Sequence, residues 1–445
     1  MNTINRRKLL IASALGMGSL PLRSLITGLP IPFLLGASPA ALAATSTQFL
    51  ILSHMSNGDP LNANVPGTYP NDPAIQTDPL RFIQHPVEFQ TPSSFNLGSV
   101  SVKAAAPWAT LPSDLLQTMA FWHHGTYTNT HAELPVVRRL GGVVKGADGT
   151  GVAELGSLVA EENNSALGTV GKEILTVGGS PVQSNGRDVS VLSPTSLKGI
   201  FTSSDANIDK MIVMRDRFID KAYQDIKTTG TPAQRKFFDL YAIGRSDAAA
   251  MGSQLGNLLS EISTNNSIDQ IKVAVAMIQL KIAPVVTIGI PFGGDNHSDE
   301  DLSDEVAETT SSIDNIATLW SLLKAANLQN QVTFATFNTF GRTMRRTSVG
   351  GRSHNSDHHV MCVFGPTIKP GVIGGCTPVT TAVDSEMKAA GINSTTGGVA
   401  GADIPFEQTL ASVGKTLIKA VGVSDARLDV RIDKATGKVI TGALL

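Results

Sequence analysis

The sequence predicts an α/β fold, a mixed sheet flanked by helices with a helical insertion, and three observations carry the prediction. Short apolar runs without helical period recur along the chain, as buried strands require. Stretches with an apolar period near 3.6 separate them. Eight of the nine histidines lie in polar loops that adjoin such runs, with only His85 apart. Strand, loop and helix in alternation point to an open α/β sheet, and such sheets gather function beyond the carboxyl ends of their strands.

The elements follow in order. Gln48–Ser53 is a buried strand that runs into His54 and the turn cluster Ser56-Asn57-Gly58-Asp59-Pro60. Residues 60–100, rich in Pro, Asn and Asp, read as an extended loop, and Leu115–Trp122 as a second strand ending in His123-His124-Gly125. Residues 203–283 form a helical block. Within it Ile208, Met211, Ile212, Met214, Phe218, Ile219 and Tyr223 keep the helical period. Thr231-Pro232-Ala233-Gln234 has the composition of a capping box, and Ser267-Ile268-Asp269-Gln270 repeats it. The block holds no His or Cys and reads as scaffold. Ala283–Ile290 is the next strand, followed by Pro291–His297, a helix over about Glu300–Asn327 and a strand at Val332–Phe337. Val360–Phe364 and Val372–Cys376 read as neighbouring strands joined by a turn-rich loop, and Pro405–Val421 as a last helix.

The first 43 residues have a different character. They carry Arg6, Arg7, Lys8 and Arg23, no acidic residue, two apolar stretches and a closing Ala41-Leu42-Ala43. A basic start, apolar middle and small-residue exit define an export signal cleaved near Ala43. Asn5-Arg6-Arg7-Lys8-Leu9-Leu10 has the twin-arginine form, which a translocase for folded proteins reads. An ordinary secretory signal or an uncleaved anchor is the alternative, and the paired arginines with the Pro21 and Arg23 interruption weigh against it. The expected location is the periplasm or the cell exterior. Neither apolar stretch reaches the roughly 20 residues of a membrane span, so no stable span is expected in residues 44–445, read as one domain. Without its four positive charges the formal charge of the chain falls from -2 to -6. That balance argues against a nucleic-acid binder, which needs a basic stripe. Cys362 and Cys376 are the only cysteines. An oxidising compartment permits a bridge between them, and two buried thiols are the other reading.

Four loops carry the residue types of a metal site. The first offers His54 and Asp59; the second His123, His124, Thr126, Thr128, Thr130 and His131; the third Asp295, His297 and Asp299; the fourth Arg342, His354, Asp357, His358 and His359. Imidazoles and carboxylates converging on one sheet edge suit Zn²⁺ or a similar divalent ion, and two ions can hold a phosphate or sulfate ester for in-line attack. The plainer reading is that these residues cap helices and bond loop backbone.

The same loops carry a resemblance. Ser56-Asn57-Gly58-Asp59-Pro60-Leu61-Asn62, Thr128-Asn129-Thr130-His131-Ala132-Glu133, Gly293-Gly294-Asp295-Asn296-His297 and Asn338-Thr339-Phe340-Gly341-Arg342-Thr343, with Gly351 and Asp357-His358, resemble in order the motifs of domain-of-unknown-function family 1501. Its members are secreted bacterial proteins of the alkaline phosphatase and sulfatase superfamily. The resemblance implies an alkaline-phosphatase-like sheet. It makes Asp59 a ligand, assigns Asp295 and His297 to one metal and Asp357 and His358 to another, and leaves His131 and His359 as further candidate ligands. Thr130 is its nearest candidate nucleophile, and Arg342 its candidate grip on anionic oxygens. The chain departs from the pattern where Thr339 replaces a Glu and where no His follows His359. Two functions are therefore carried forward: an exported metal-dependent hydrolase of small anionic esters, and a non-catalytic exported binding or assembly protein that keeps the fold.

Overall fold

The computed structural model describes residues 47–69, 83–184, 186–202, 206–232, 234–235, 254–346, 350–379 and 386–445. The expected export signal, residues 1–43, lies outside the described residues, as does the middle of the helical block.

Seven strands form the central sheet: β1 (Phe49–Ser53), β2 (Met119–His124), β3 (Leu175–Thr176), β4 (Val285–Ile288), β5 (Val332–Thr336), β6 (His359–Phe364) and β7 (Gly371–Ile373). Their spatial order is β7-β2-β6-β5-β1-β4-β3. β6 runs antiparallel to both β2 and β5, and every other pairing is parallel. The sheet is mixed, with one reversed strand near its middle.

The strands read as continuous apolar runs because both faces are covered. In β1, Phe49 and Ile51 face one core, shared with α2 (Ser267–Gln279) and α3 (Ser303–Ala325) through Ile271, Ala274, Ile313 and Ile316. Leu50 and Leu52 face the other, shared with α1 (Leu155–Leu167) and α4 (Thr409–Ala420) through Leu158, Val159, Leu410 and Val413. Ile51 sits between Val286 of β4 and Phe334 of β5 in register, so three large side chains share one face. Full burial of each such side chain contributes about 1.5–3 kcal/mol. The protein is thus an α/β protein with helices on both faces of a mixed sheet. No helix among the described residues is long and apolar enough to cross a membrane.

Several expectations change. The second strand begins at Met119, because Ser113–Leu116 is a short helix after Pro112. Residues 60–100 are not all loop: Ser93–Leu97 pairs antiparallel with Val100–Ala104. Helix α1 has a weak apolar period, since Gly156, Ser157 and Asn163 are buried on it together with Leu158 and Val159, and the sequence did not reveal it. Helix α2 belongs to the core layer, so the helical block 203–283 is not an insertion throughout. Its cap is Asn266, one residue ahead of the expected Ser267, and the Asn266 side chain accepts from Asp269 N at 3.0 Å. The Thr231–Gln234 box does form, with reciprocal bonds of 2.8 and 3.3 Å.

The largest correction concerns the end of the sheet. β6 and β7 are not neighbours: β2 lies between them and pairs with both. Cys362 is therefore in the middle of the sheet, whereas Cys376 lies in a separate two-stranded ribbon, Cys376–Pro378 with Met387–Ala389. Both thiols are free.

Candidate metal centre

Because β6 alone is reversed, its start lies at the same edge as the ends of β1, β2, β4 and β5. Loops leaving those four strands and the segment entering β6 converge there. Two groups of histidines result, one in the loops and one inside the sheet edge.

The outer group is His131, Asp295, His297 and His354, one ligand atom from each lying within 4.8 Å of the others. His131 follows β2, while Asp295 and His297 follow β4. His354 is on the second strand of the hairpin Gly341–Arg346/Arg352–Asn355, directly opposite Arg342 in register. His131 Nε2 is 3.5 Å from Asp295 Oδ2, His297 Nε2 is 3.3 Å from Asp295 Oδ1, and His297 Nε2 is 2.9 Å from His354 Nε2. Neighbouring ligands of a four-coordinate ion with bonds of about 2.0–2.2 Å stand about 3.3 Å apart, so these separations are of the size that a group holding a metal ion needs.

The tautomers fit as well. His131 Nδ1 lies 2.8 Å from the Ser56 carbonyl, and His354 Nδ1 lies 2.9 Å from the Asn129 carbonyl. A carbonyl only accepts, so both Nδ1 atoms carry the proton and both Nε2 lone pairs turn towards the cluster. Phe340 stacks on His354 with centroids 4.0 Å apart and meets the His131 ring edge-on, fixing both ring planes. Burial first, and then Arg342, hold the His354 pKa below the ordinary histidine value, against its bond to Asn129. A neutral imidazole is the form that ligates.

Arg342 is fully buried. It donates to Asp295 Oδ1 at 2.8 Å and to the Asn57 carbonyl, and its Nη1 is 3.3 Å from His297 Nε2. Burial alone would raise the Asp295 carboxyl, but the bond and charge of Arg342, with His131 and His297, hold it below the usual carboxylate range. The guanidinium therefore orients the Asp295 carboxylate and keeps it ionised. With those donors already engaged, it is placed as a partner of Asp295 rather than as an open grip for an incoming anion.

The inner group is His123, His124, His358 and His359, all buried with Asp59. His123 Nε2 faces the Pro66 carbonyl at 2.9 Å, so it carries the proton and leaves Nδ1 to accept from His358 Nε2, also at 2.9 Å. His358 Nδ1 then accepts from Asn62 Nδ2 at 3.3 Å. Both nitrogens of His358 are in use. Burial lowers His123 to about 4, and pushes His358 well below the ordinary value. These are neutral structural imidazoles. A parallel chain runs from the Gly125 carbonyl through His124 Nδ1 (2.8 Å) and His124 Nε2 to His359 Nδ1 (3.3 Å). It leaves His359 Nε2 without a hydrogen bond, 3.6 Å from Asp59 Oδ2. Asp59 itself caps Leu61 N at 3.1 Å and accepts from Asn338.

Of the expected ligands, then, His131, Asp295 and His297 come together, and His354 completes the set. Asp59 and His359 face each other in a separate buried pair. Asp357 and His358 do not form a second metal set: Asp357 Oδ1 accepts from the Ser356 hydroxyl at 3.2 Å, and His358 is turned into the sheet. Thr130 is exposed at the start of the short turn His131–Glu133 and makes no side-chain capping bond. Thr128 is buried and donates to the Thr339 carbonyl at 2.9 Å, and Thr126 donates to the Ser356 carbonyl at 3.2 Å. His54 is elsewhere, buried beside the Arg138–Glu154 pair. The signal for His354 was the hairpin: a residue opposite Arg342 must share its face, but the turn length that fixes this register has no sharp sequence mark.

These features define an α/β protein with a His/Asp cluster able to hold a metal ion. No family model matches the chain, and no curated protein was found to match it.

Proposed function

We propose that this is an exported metal protein with an alkaline-phosphatase-like core, related to domain-of-unknown-function family 1501, that binds one Zn²⁺ and acts on small phosphate or sulfate esters. The observation that carries the metal reading is the outer cluster: three imidazoles and a carboxylate at the strand ends, two of the imidazoles with Nε2 preset as lone pairs by backbone carbonyls. A divalent ion there would supply Lewis acidity to an ester oxygen by taking that oxygen in addition to, or in place of one of, the four side chains. The chain's own contribution is to keep Asp295 ionised through Arg342, to hold His354 neutral, to orient His131 and His354 through backbone carbonyls, and to carry the exposed Thr130, the residue before His131, as the candidate nucleophile. The twin-arginine pattern supports export in the folded state, since a centre gathered from distant segments exists only after folding.

The non-catalytic reading, an exported binding or assembly protein, is favoured by one specific observation. Among the described residues a single cluster has ligand geometry, and the expected second set is dispersed. Elemental analysis of protein purified without chelator or His tag separates the outcomes. We expect about one equivalent of zinc per chain, lost in the Asp295→Ala/His354→Ala double variant. Release of nitrophenol from nitrophenyl phosphate or sulfate, abolished in the same variant, supports the hydrolase, and bound metal without turnover supports the binding protein. A folded, metal-free wild-type protein overturns both metal readings.

A further inference from the structure

The outer cluster has a second layer that its own residues do not explain. Glu305, in the first turn of α3, is completely buried, as is Arg352 in the hairpin two residues before His354. Arg352 Nε donates to Glu305 Oε2 at 2.6 Å and Arg352 Nη2 to Glu305 Oε1 at 3.0 Å, a forked pair. The remaining lone pairs of the carboxylate accept from Asn64 Nδ2 at 2.7 Å and Asn296 Nδ2 at 2.9 Å. Asn296 is the residue before His297. One buried carboxylate thus joins the segment that carries His297 to the strand that carries His354.

Main-chain bonds close the same junction. Gly351 N donates to the His297 carbonyl at 2.7 Å, and Arg352 N to the Asn296 carbonyl at 3.2 Å. The approach is so close that a Cβ on Gly351 would lie 1.9 Å from Asn296 O. The loop is fastened to the helix from the other side too, with Asp299 accepting from Asp304 N and Glu305 N at 3.2 and 2.9 Å. Arg352 also donates to the Thr343 and Gln84 carbonyls, at 2.9 and 2.6 Å, so its guanidinium is locked in one orientation.

A buried ion pair seldom adds net stability over well-packed apolar side chains. Its use here is geometric. We propose that Glu305, Arg352 and Asn296 are positioning residues that fix the 2.9 Å separation of the His297 and His354 imidazoles and so set the affinity of the metal centre. The proposal rests on the outer cluster being a metal site. Partners one layer behind metal ligands typically change affinity 10–100-fold when removed.

The test is a Co²⁺ titration of the purified protein, read by its visible absorption, alongside thermal unfolding without metal. Asn296→Ala removes one link and leaves the ion pair intact, so the protein still folds. The expected result is a 10–100-fold weaker Co²⁺ affinity with a shifted absorption band, while the unfolding temperature without metal stays near that of the wild type. Arg352→Lys keeps the charge and loses the fork, so it should weaken Co²⁺ binding as well. Wild-type affinity and spectrum in both variants overturn the proposal while leaving the metal centre standing. A wild-type protein that takes up no Co²⁺ overturns the centre and the proposal together.

Discussion

Acid should unfold this protein through its buried histidines, in a window above the one where its carboxylates respond. His123 is lowered to about 4, and His124 and His85 each to about 3, in every case chiefly by burial. In the unfolded chain all three titrate near 6.5. Below that value the unfolded state therefore binds more protons than the folded state, and stability falls with pH. Their contribution is complete above pH 6.5 and is lost progressively down to the folded values. Each group costs about 1.4 kcal/mol per pH unit inside the window, so three cost about 4 kcal/mol between pH 6 and pH 5. His54 and His358 act in the same direction, while Glu154 and Glu386, raised chiefly by burial, oppose them. Asp295, held low, loses its contribution only below about pH 4. Against a typical total of about 5–15 kcal/mol, the loss is large. Urea unfolding of metal-free protein at pH 7, 6 and 5, followed by tryptophan fluorescence, measures it. The midpoint should drop steeply between pH 6 and 5 with an unchanged slope in urea. His85→Phe, which keeps the stack on Tyr69 (centroids 3.9 Å apart), should flatten the dependence by about one proton. Midpoints that stay level from pH 7 to 5 would refute the reasoning, because the histidines would then be charged or hydrated in the fold.

Two further outcomes are expected. Gly351→Ala forces a methyl against the Asn296 carbonyl and should cost about 1–3 kcal/mol, lowering the urea midpoint; an unchanged midpoint would mean that the hairpin and the loop are not closed on each other. A thiol reagent should find two reactive cysteines in urea without reductant. In the native protein Cys362, buried in β6 with its thiol pKa raised by burial, should stay unreactive; a count of zero in urea would show that the thiols are paired after all.

The sequence was most legible where a single physical requirement dominates. β1, β4 and β5 are buried on both faces and announce themselves as unbroken apolar runs. The capping box at Thr231 announces a helix start for an equally local reason. Helix α1 was hidden because its buried face includes Gly156, Ser157 and Asn163, which pack by smallness or by hydrogen bonding to the Gln48 and Val421 carbonyls. In the site, His131, Asp295 and His297 were visible because polar loops after strands are where chemistry collects. His358 misled for a matching reason. Its place at a strand entrance resembles that of a ligand, and only the tertiary partners Asn62 and His123 reveal that both its nitrogens are spent. The order of the sheet edge was the least legible feature. A short linker between β6 and β7 suggests a hairpin, and nothing local says that β2, far earlier in the chain, takes the place between them.

That reversed strand also has a consequence for assembly. β2 and β7 join the rest of the sheet only through β6, which bonds to β2 on one side and β5 on the other. Until residues 359–364 arrive, the sheet exists as two pieces: β2 alone, because β7 follows β6 in the chain, and the β5-β1-β4-β3 group, whose β5 edge is open. The seam between the pieces runs beneath the outer cluster, where Asn129 and His354, bonded across it, are 225 residues apart in the chain. Contacts of such long range close late, after the entropy of the intervening loop has been overcome. A chain interrupted before β6 would therefore expose both edges of β2 and one edge of β5 at once, making the part of the sequence from β6 onward both the latch of the sheet and its protection against aggregation.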